Sequence, residues 1–142
     1  MPLSPAELAS VSSDLRLACM RIARRVKRDA THPVAPHQFS VLCRLLDGPQ
    51  TPRALADLER VAAPSMTRTT GQLAELGCLA RAADPADGRS VILTITPEGR
   101  RVVEQVRRER DQWMTDRLAG LPVEDQRVLA RAAEILGRVV GE

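Results

Sequence analysis

The sequence predicts a mainly α-helical fold with one small β-hairpin, and three observations predict it. Apolar residues recur at spacings of three and four along most of the 142 residues, the pattern of amphipathic helices. Only Phe39 and Trp113 carry aromatic rings and Tyr is absent, so Leu, Val, Ile and Ala must fill the core, which favours helix packing over a β-sandwich. The helical period breaks at one place, where two short runs flank Asp87-Gly88, a dipeptide that favours hairpin turns.

The first helix is expected over 5–30. Leu8, Val11, Leu15, Ala18, Ile22 and Val26 form one apolar stripe; Ser4 can cap it, with Pro5 at the first helical position and Glu7 three residues after the Ser. Thr31, His32 and Pro33 end it. A second helix covers 36–47 with Phe39, Leu42, Cys43 and Leu46 inward, and Gly48-Pro49 stops it. Thr51 caps a short helix from Pro52 to about Glu59, with Leu55 and Leu58 inward. After a brief turn over 60–63, another helix starts at Pro64 and runs to Leu76, closed by Gly77. Strands follow at Leu79–Ala83 and Val91–Ile95. Thr96-Pro97-Glu98 restarts a helix that carries Val102, Val103, Val106 and Trp113 to about Ala119. Gly120-Leu121-Pro122 breaks it, and a last helix covers 122–140 with Val128, Leu129, Ala132, Leu136 and Val139 apolar.

Two short helices joined by a tight turn are the helix-turn-helix signal, and a hairpin directly after the second is a wing. The expected architecture is therefore a winged helix-turn-helix with long terminal dimerisation helices. It reads as a single domain over 1–142, with the reader core at 36–100 and dimerisation helices at 5–30 and 97–142. Residues 1–50 hold seven Lys/Arg against four Asp/Glu, whereas the remainder is balanced, so the net charge of +3 does not mark the reader. A sequence pI of about 9.2 points only mildly to a polyanionic partner.

Geometry carries the functional argument. On the helix beginning at Pro64, Met66, Thr70 and Leu73 fall together and can face the core. Ser65, Arg68, Thr69 and Gln72 are expected on the outward side. Arg can hold guanine O6 and N7 together, Gln can pair with adenine, and hydroxyls fit either. The helix start also offers backbone N–H groups and a positive dipole to phosphates. In isolation such a face reads as solvated surface; the helix before it and the wing after it turn the reading toward DNA. Thr51, Ser65, Thr67, Arg68, Thr69, Gln72, Asp87 and Arg89 form the candidate DNA-binding set.

Pro64-Ser65-Met66-Thr67-Arg68, then Leu73, Gly77 and Leu79-Ala80-Arg81, resemble the recognition helix and first wing strand of the MarR (multiple antibiotic resistance regulator) family. Asp84-Pro85-Ala86-Asp87-Gly88-Arg89, followed by Leu93, Thr94, Thr96, Gly99 and Arg100, resembles that family's wing signature. The resemblance covers residues 36–100. It implies a regulator that binds double-stranded DNA as a homodimer, probing a pseudo-palindromic operator, as a repressor responsive to a ligand or stress. It also implies a small-molecule effector held between the reader and the dimerisation helices. Arg89 is then expected on the wing, reaching a minor groove or bracing the wing through Asp87; both readings stay open.

Other classes fit less well. A winged module that binds protein instead of DNA would want apolar anchors where Ser65, Arg68, Thr69 and Gln72 stand. No Ser/His/acid set, glycine-rich phosphate loop or metal cluster suggests an enzyme, and no cofactor is expected. Cys19, Cys43 and Cys78 are odd in number, form no CxxC pair, and read as buried structural cysteines, with a redox role for Cys19 the weaker alternative. His32 and His37 read as structural or solvated, and Arg24–Arg28 as a solvated helix face. The apolar runs are too short to span a membrane and the N-terminus has no signal-peptide pattern, so a cytoplasmic location is expected. Gly71 departs from helix chemistry, costing about 1 kcal/mol against Ala, and invites a close approach of helix or DNA.

Overall fold

A computed structural model describes residues 1–141. In chain order it contains α1 (Pro5–Asp29), α2 (Pro36–Leu46), α3 (Pro52–Glu59), α4 (Ala63–Glu75), β1 (Leu79–Ala83), β2 (Val91–Ile95), α5 (Pro97–Ala119) and α6 (Val123–Val140). The elements match the expected winged helix-turn-helix. Helix starts are set locally: α1 has a full capping box between Ser4 and Glu7, and Thr51 Oγ1 caps α3 by accepting the Ala54 N–H at 3.1 Å. Five of the helices, α1 to α5, carry Pro in the first turn, where its missing N–H costs nothing.

The chain forms two compact units, residues Thr31–Glu109 and Met1–Ala30 together with the chain from Arg110 onward. The first unit, the reader, holds the hydrophobic core. Val34, Val41, Leu42, Leu45, Leu55, Ala56, Met66, Leu73, Cys78, Leu79, Leu93, Val102, Val103 and Val106 are all buried there. Two expectations about which face turns inward need correction. On α2 the deepest residues are Val41, Leu42 and Leu45, while Phe39, Cys43 and Leu46 pack only at the edge of the core. On α3 Leu55 and Ala56 are buried, but Leu58 is 45% exposed. At about 100° per residue, Leu55, Ala56 and Glu59 share one arc of α3, and Leu58 falls outside it.

The sheet has two antiparallel strands, with Leu79 opposite Ile95 and Ala83 opposite Val91. On the other edge of β2, Gln50 and Leu93 exchange backbone hydrogen bonds of 3.1 and 2.8 Å, which ties the wing to the head of α3. The return into α5 is locked as well. Thr96 Oγ1 donates to the Gly77 carbonyl at 2.5 Å and accepts the Gly99 N–H at 3.1 Å, while the Thr96 N–H donates to the Cys78 carbonyl. Gly99 sits so close that a Cβ there would lie 2.1 Å from the Cys78 carbonyl oxygen, so only glycine fits.

The second unit contains α1, the end of α5 and α6. None of its described residues is buried. Leu8, Val11, Leu15 and Ile22 of α1 and Val128, Leu129, Ile135 and Val139 of α6 are exposed. Cys19 is exposed too, so the burial expected for it is not met within one chain, whereas Cys78 is buried and Cys43 half-buried. Trp113 is covered by the Arg117 guanidinium, 3.4 Å from the ring centroid. Asp29 pairs with Arg28 at 2.8 Å and Arg25 at 3.5 Å, so part of the Arg24–Arg28 charge is answered locally.

Candidate nucleic-acid interface

The reader is built around the short link between α3 and α4. Arg60 closes α3 in the left-handed region at φ 54°, and the Val61 N–H reaches back to the Ala56 carbonyl at 3.0 Å, turning the chain into α4 within a few residues. Ala62, which precedes α4, provides no side-chain cap, so the first amides of α4 keep their donor capacity.

Met66, Thr70 and Leu73 anchor the inner side of α4 as expected. Ser65, Thr67, Arg68 and Gln72 are exposed on the outer side. Thr69 requires correction. It is 8% exposed, and its hydroxyl donates to the Ser65 carbonyl at 3.0 Å. Its position on the helix lies closer to Met66 and Leu73 than to Arg68, because a spacing of four from Ser65 carries it past the polar arc toward the core. Thr67 also donates its hydroxyl to a backbone carbonyl, that of Ala63, at 3.0 Å, leaving its oxygen to accept. Arg68 enters no ion pair with the described residues, so its guanidinium fork is uncommitted.

Gln72 is held. Gln38 Nε2 donates to Gln72 Oε1 at 3.0 Å, and Gln38 Oε1 accepts the Ala35 N–H at 2.9 Å. The sequence reading missed Gln38, although its place three residues after the residue preceding Pro36 fits a capping-box position. Arg81, outside the candidate DNA-binding set, is an exposed β1 residue beside Gly71, where an added Cβ would meet Arg81 Nη2 at 3.8 Å. That is ordinary contact, so nothing among the described residues demands glycine at 71.

The wing turn differs from a two-residue Asp-Gly hairpin. The Asp84 N–H bonds the Ser90 carbonyl at 2.9 Å, and two successive turns fill the loop: Asp87 N–H to Asp84 carbonyl at 3.2 Å, then Ser90 N–H to Asp87 carbonyl at 3.0 Å. Each is headed by an Asp whose Oδ1 accepts a backbone N–H two residues on, Ala86 for Asp84 and Arg89 for Asp87. Gly88 is not at positive φ, so the turn runs on Asp side chains instead of glycine freedom. Asp87 thus holds the backbone of Arg89 and, through Oδ2, the Ser90 hydroxyl at 3.3 Å. The Arg89 side chain is exposed and makes no ion pair with the described residues; Asp87 meets Arg89 through its backbone N–H.

A polar seam joins α2 to α3 beneath this surface. Glu59 accepts the Ser40 hydroxyl at 2.7 Å and Arg44 Nε at 2.8 Å. Burial alone pushes the Glu59 carboxyl upward, but the Arg44 and Ser40 hydrogen bonds and the Arg44 charge outweigh it and hold it below the ordinary glutamate value. Beside the seam, Glu59, His37, Val61, Met66, Ser65 and Arg68 line a cleft of about 290 Å³. Among the described residues no group of three or more His, Cys, Asp or Glu could hold a metal ion, and no helix is long and apolar enough to cross a membrane.

The MarR family model matches residues 34–91. An uncharacterised HTH-type transcriptional regulator of Mycobacterium bovis is 40% identical over 136 residues, covering 94% of this chain and 95% of that protein. The crystal structure of a transcriptional regulator from Thermotoga maritima superposes with a TM-score of 0.72 at 30% identity, covering 92% of this chain and 94% of that one. A mutant of S. aureus MepR bound to an oligodeoxyribonucleotide shares the fold, with a TM-score of 0.66 at 18% identity over 91% of this chain and 97% of that one.

Proposed function

Because the chain belongs to the MarR family of transcriptional regulators, we propose that it reads a pseudo-palindromic site in double-stranded DNA as a homodimer and represses by occupying it. One observation carries the DNA-reading part: Ser65, Thr67, Arg68 and Gln72 are exposed on the outer side of a helix whose inner side is fully spent on the core. Arg68 has no ion-pair partner within the described chain, and a fork of that kind fits guanine O6 and N7. Thr51 and Thr67 contribute hydroxyls, and Ser65 stands in the first turn of α4, where phosphate meets the helix dipole. Asp87 positions Arg89 for the neighbouring minor groove. Thr69 is assigned a packing role instead of a base contact, since its hydroxyl is committed to Ser65.

The homodimer is supported by the uncovered apolar residues of α1 and α6. A two-fold arrangement would set two copies of α4 roughly 34–36 Å apart, one turn of DNA. A small-molecule effector entering the cleft lined by Ser65 and Arg68 would reach the reading surface directly. The MepR structure with an oligodeoxyribonucleotide supports DNA as the partner of this fold.

A gel-shift titration against the duplex upstream of the protein's own gene, with scrambled duplex as competitor, tests the proposal. Specific retention by the wild type, and a loss of about 1–3 kcal/mol of discrimination at one base pair in Arg68→Ala with unchanged folding, is the expected result. Equal affinity of the wild type for both duplexes would overturn sequence reading, and a protein-binding module would then be the better description.

A further inference from the structure

We propose that Gln38 fixes the polarity of Gln72, so that Gln72 meets DNA as a hydrogen-bond donor and selects an acceptor edge, guanine above all. This rests on the DNA-reading function proposed above. The order of the chain of bonds follows from its first member. The Ala35 backbone N–H can only donate, so the Gln38 atom facing it at 2.9 Å is the carbonyl oxygen. The other terminus of the Gln38 amide is then NH₂, which can only donate, and it meets Gln72 at 3.0 Å. The Gln72 atom turned to the protein is therefore its own carbonyl oxygen, and its NH₂ is the end left for DNA.

A free glutamine reads adenine by using both ends at once, accepting from N6 and donating to N7. With its oxygen held toward Gln38, Gln72 turns its two N–H donors outward. Guanine presents two acceptors in the major groove, N7 and O6, whereas cytosine presents an amino donor that would meet the Gln72 NH₂ head-on. Gln38 itself contacts no base in this scheme and is a positioning residue. It is anchored by the same bond that caps the start of α2, so the reader helix and the helix behind it share one polar link.

Selection from a pool of duplexes randomised over about 20 base pairs tests this, that length being roughly two turns and both half-sites. The wild type should enrich guanine over cytosine about tenfold at one position per half-site, and Gln72→Ala should flatten that position. Gln38→Glu is the informative change. Its carboxylate still accepts the Ala35 N–H, so α2 keeps its cap, but it cannot donate to Gln72 and should draw the Gln72 NH₂ inward. Preference should then move from guanine toward adenine or cytosine, whose amino groups suit the exposed oxygen. The added charge weakens all sequences alike and leaves the enrichment ratio readable. Gln38→Met, of similar size and unable to donate, should reduce the guanine preference without reversing it; melting curves establish that each variant folds. If both folded Gln38 variants select the wild-type consensus, or if Gln72→Ala does, the proposal is overturned. A wild type that enriches no sequence overturns the DNA-reading function and this proposal with it.

Discussion

The two units of the molecule start their helices in the same way and end with opposite interiors. α1 and α2 each begin after an extended residue, with Pro in the first turn and a side chain three residues on, Glu7 or Gln38, that accepts the N–H of the residue before the helix. Yet the reader unit buries Val41, Leu42 and Leu45 from α2 alone, while α1 buries nothing over 25 residues. Amphipathic helices form from local signals, but burial requires a partner face, and none of the described residues of the second unit is buried. Its exposed Val128 and Val139 lie on nearly the same face of α6, about 20° apart around the helix.

The sharpest way to break this contrast is to charge that face. Val128→Asp with Val139→Asp should convert a dimer of 15.5 kDa chains to monomer at micromolar concentration, because an unpaired charge buried in an interface costs several kcal/mol. Sedimentation equilibrium reads the outcome. A wild type that sediments as a monomer would show instead that the uncovered apolar stripes are tolerated in water.

Next in size is a matched pair of truncations. Leu42 is completely buried in the reader, so Leu42→Ala should cost about 2–5 kcal/mol in a denaturant titration. Leu8 is 55% exposed, and Leu8→Ala should change single-chain stability by less than about 0.5 kcal/mol. A large loss from Leu8→Ala that depends on protein concentration would locate Leu8 in the dimer contact; one that does not would place it in a core of the chain itself.

The wing offers a finer comparison inside the reader. Arg89→Ala should remove one phosphate or groove contact per subunit and, for phosphate, lower the slope of log affinity against log salt by about one per contact. Asp87→Ala leaves that guanidinium in place but removes the acceptor of the Arg89 N–H and the Ser90 hydroxyl. It should therefore weaken binding less, with the salt slope kept and the loop amides exchanging faster. Equal losses and equal slopes from the two variants would mean that Arg89 acts only through the shape of the turn.

Much of the fold was legible because its signals are local. The strand limits at Leu79–Ala83 and Val91–Ile95, the Thr51 cap and the Ser4–Glu7 box all follow from neighbouring residues. What was not legible depends on a choice among overlapping apolar arcs. α2 carries Phe39, Leu42, Cys43 and Leu46 on one arc and Val41, Leu42 and Leu45 on another, and only the packed neighbours decide between them. The same ambiguity placed Thr69 outward on α4. Of the candidate site, Ser65, Thr67, Arg68 and Gln72 stand exposed where the spacing put them. The Gln38–Gln72 bond spans 34 residues and leaves no local trace of its partner, and the Asp-headed wing turns mimic an Asp-Gly hairpin in sequence while using different bonds.

The smallest expected effect concerns the seam at Glu59, the half-buried carboxylate beneath the reading surface. Arg44 and Ser40 both donate to it, joining α2 to α3, and they keep its carboxyl below the ordinary value despite burial. A carboxyl depressed in the folded state contributes stability that is fully present above its unfolded value and is lost as pH falls through its folded value. Glu59→Gln should therefore melt lower than wild type near neutral pH. Arg44 is largely exposed, which screens the pair and keeps the difference modest. As pH falls from about 5 toward 3, through and below the ordinary carboxylate range, the wild type should lose this advantage and the two melting curves should converge. Melting temperatures of wild type and Glu59→Gln across that range decide it. A Glu59→Gln difference that stays constant with pH would show that the seam works through shape and neutral hydrogen bonds instead of charge.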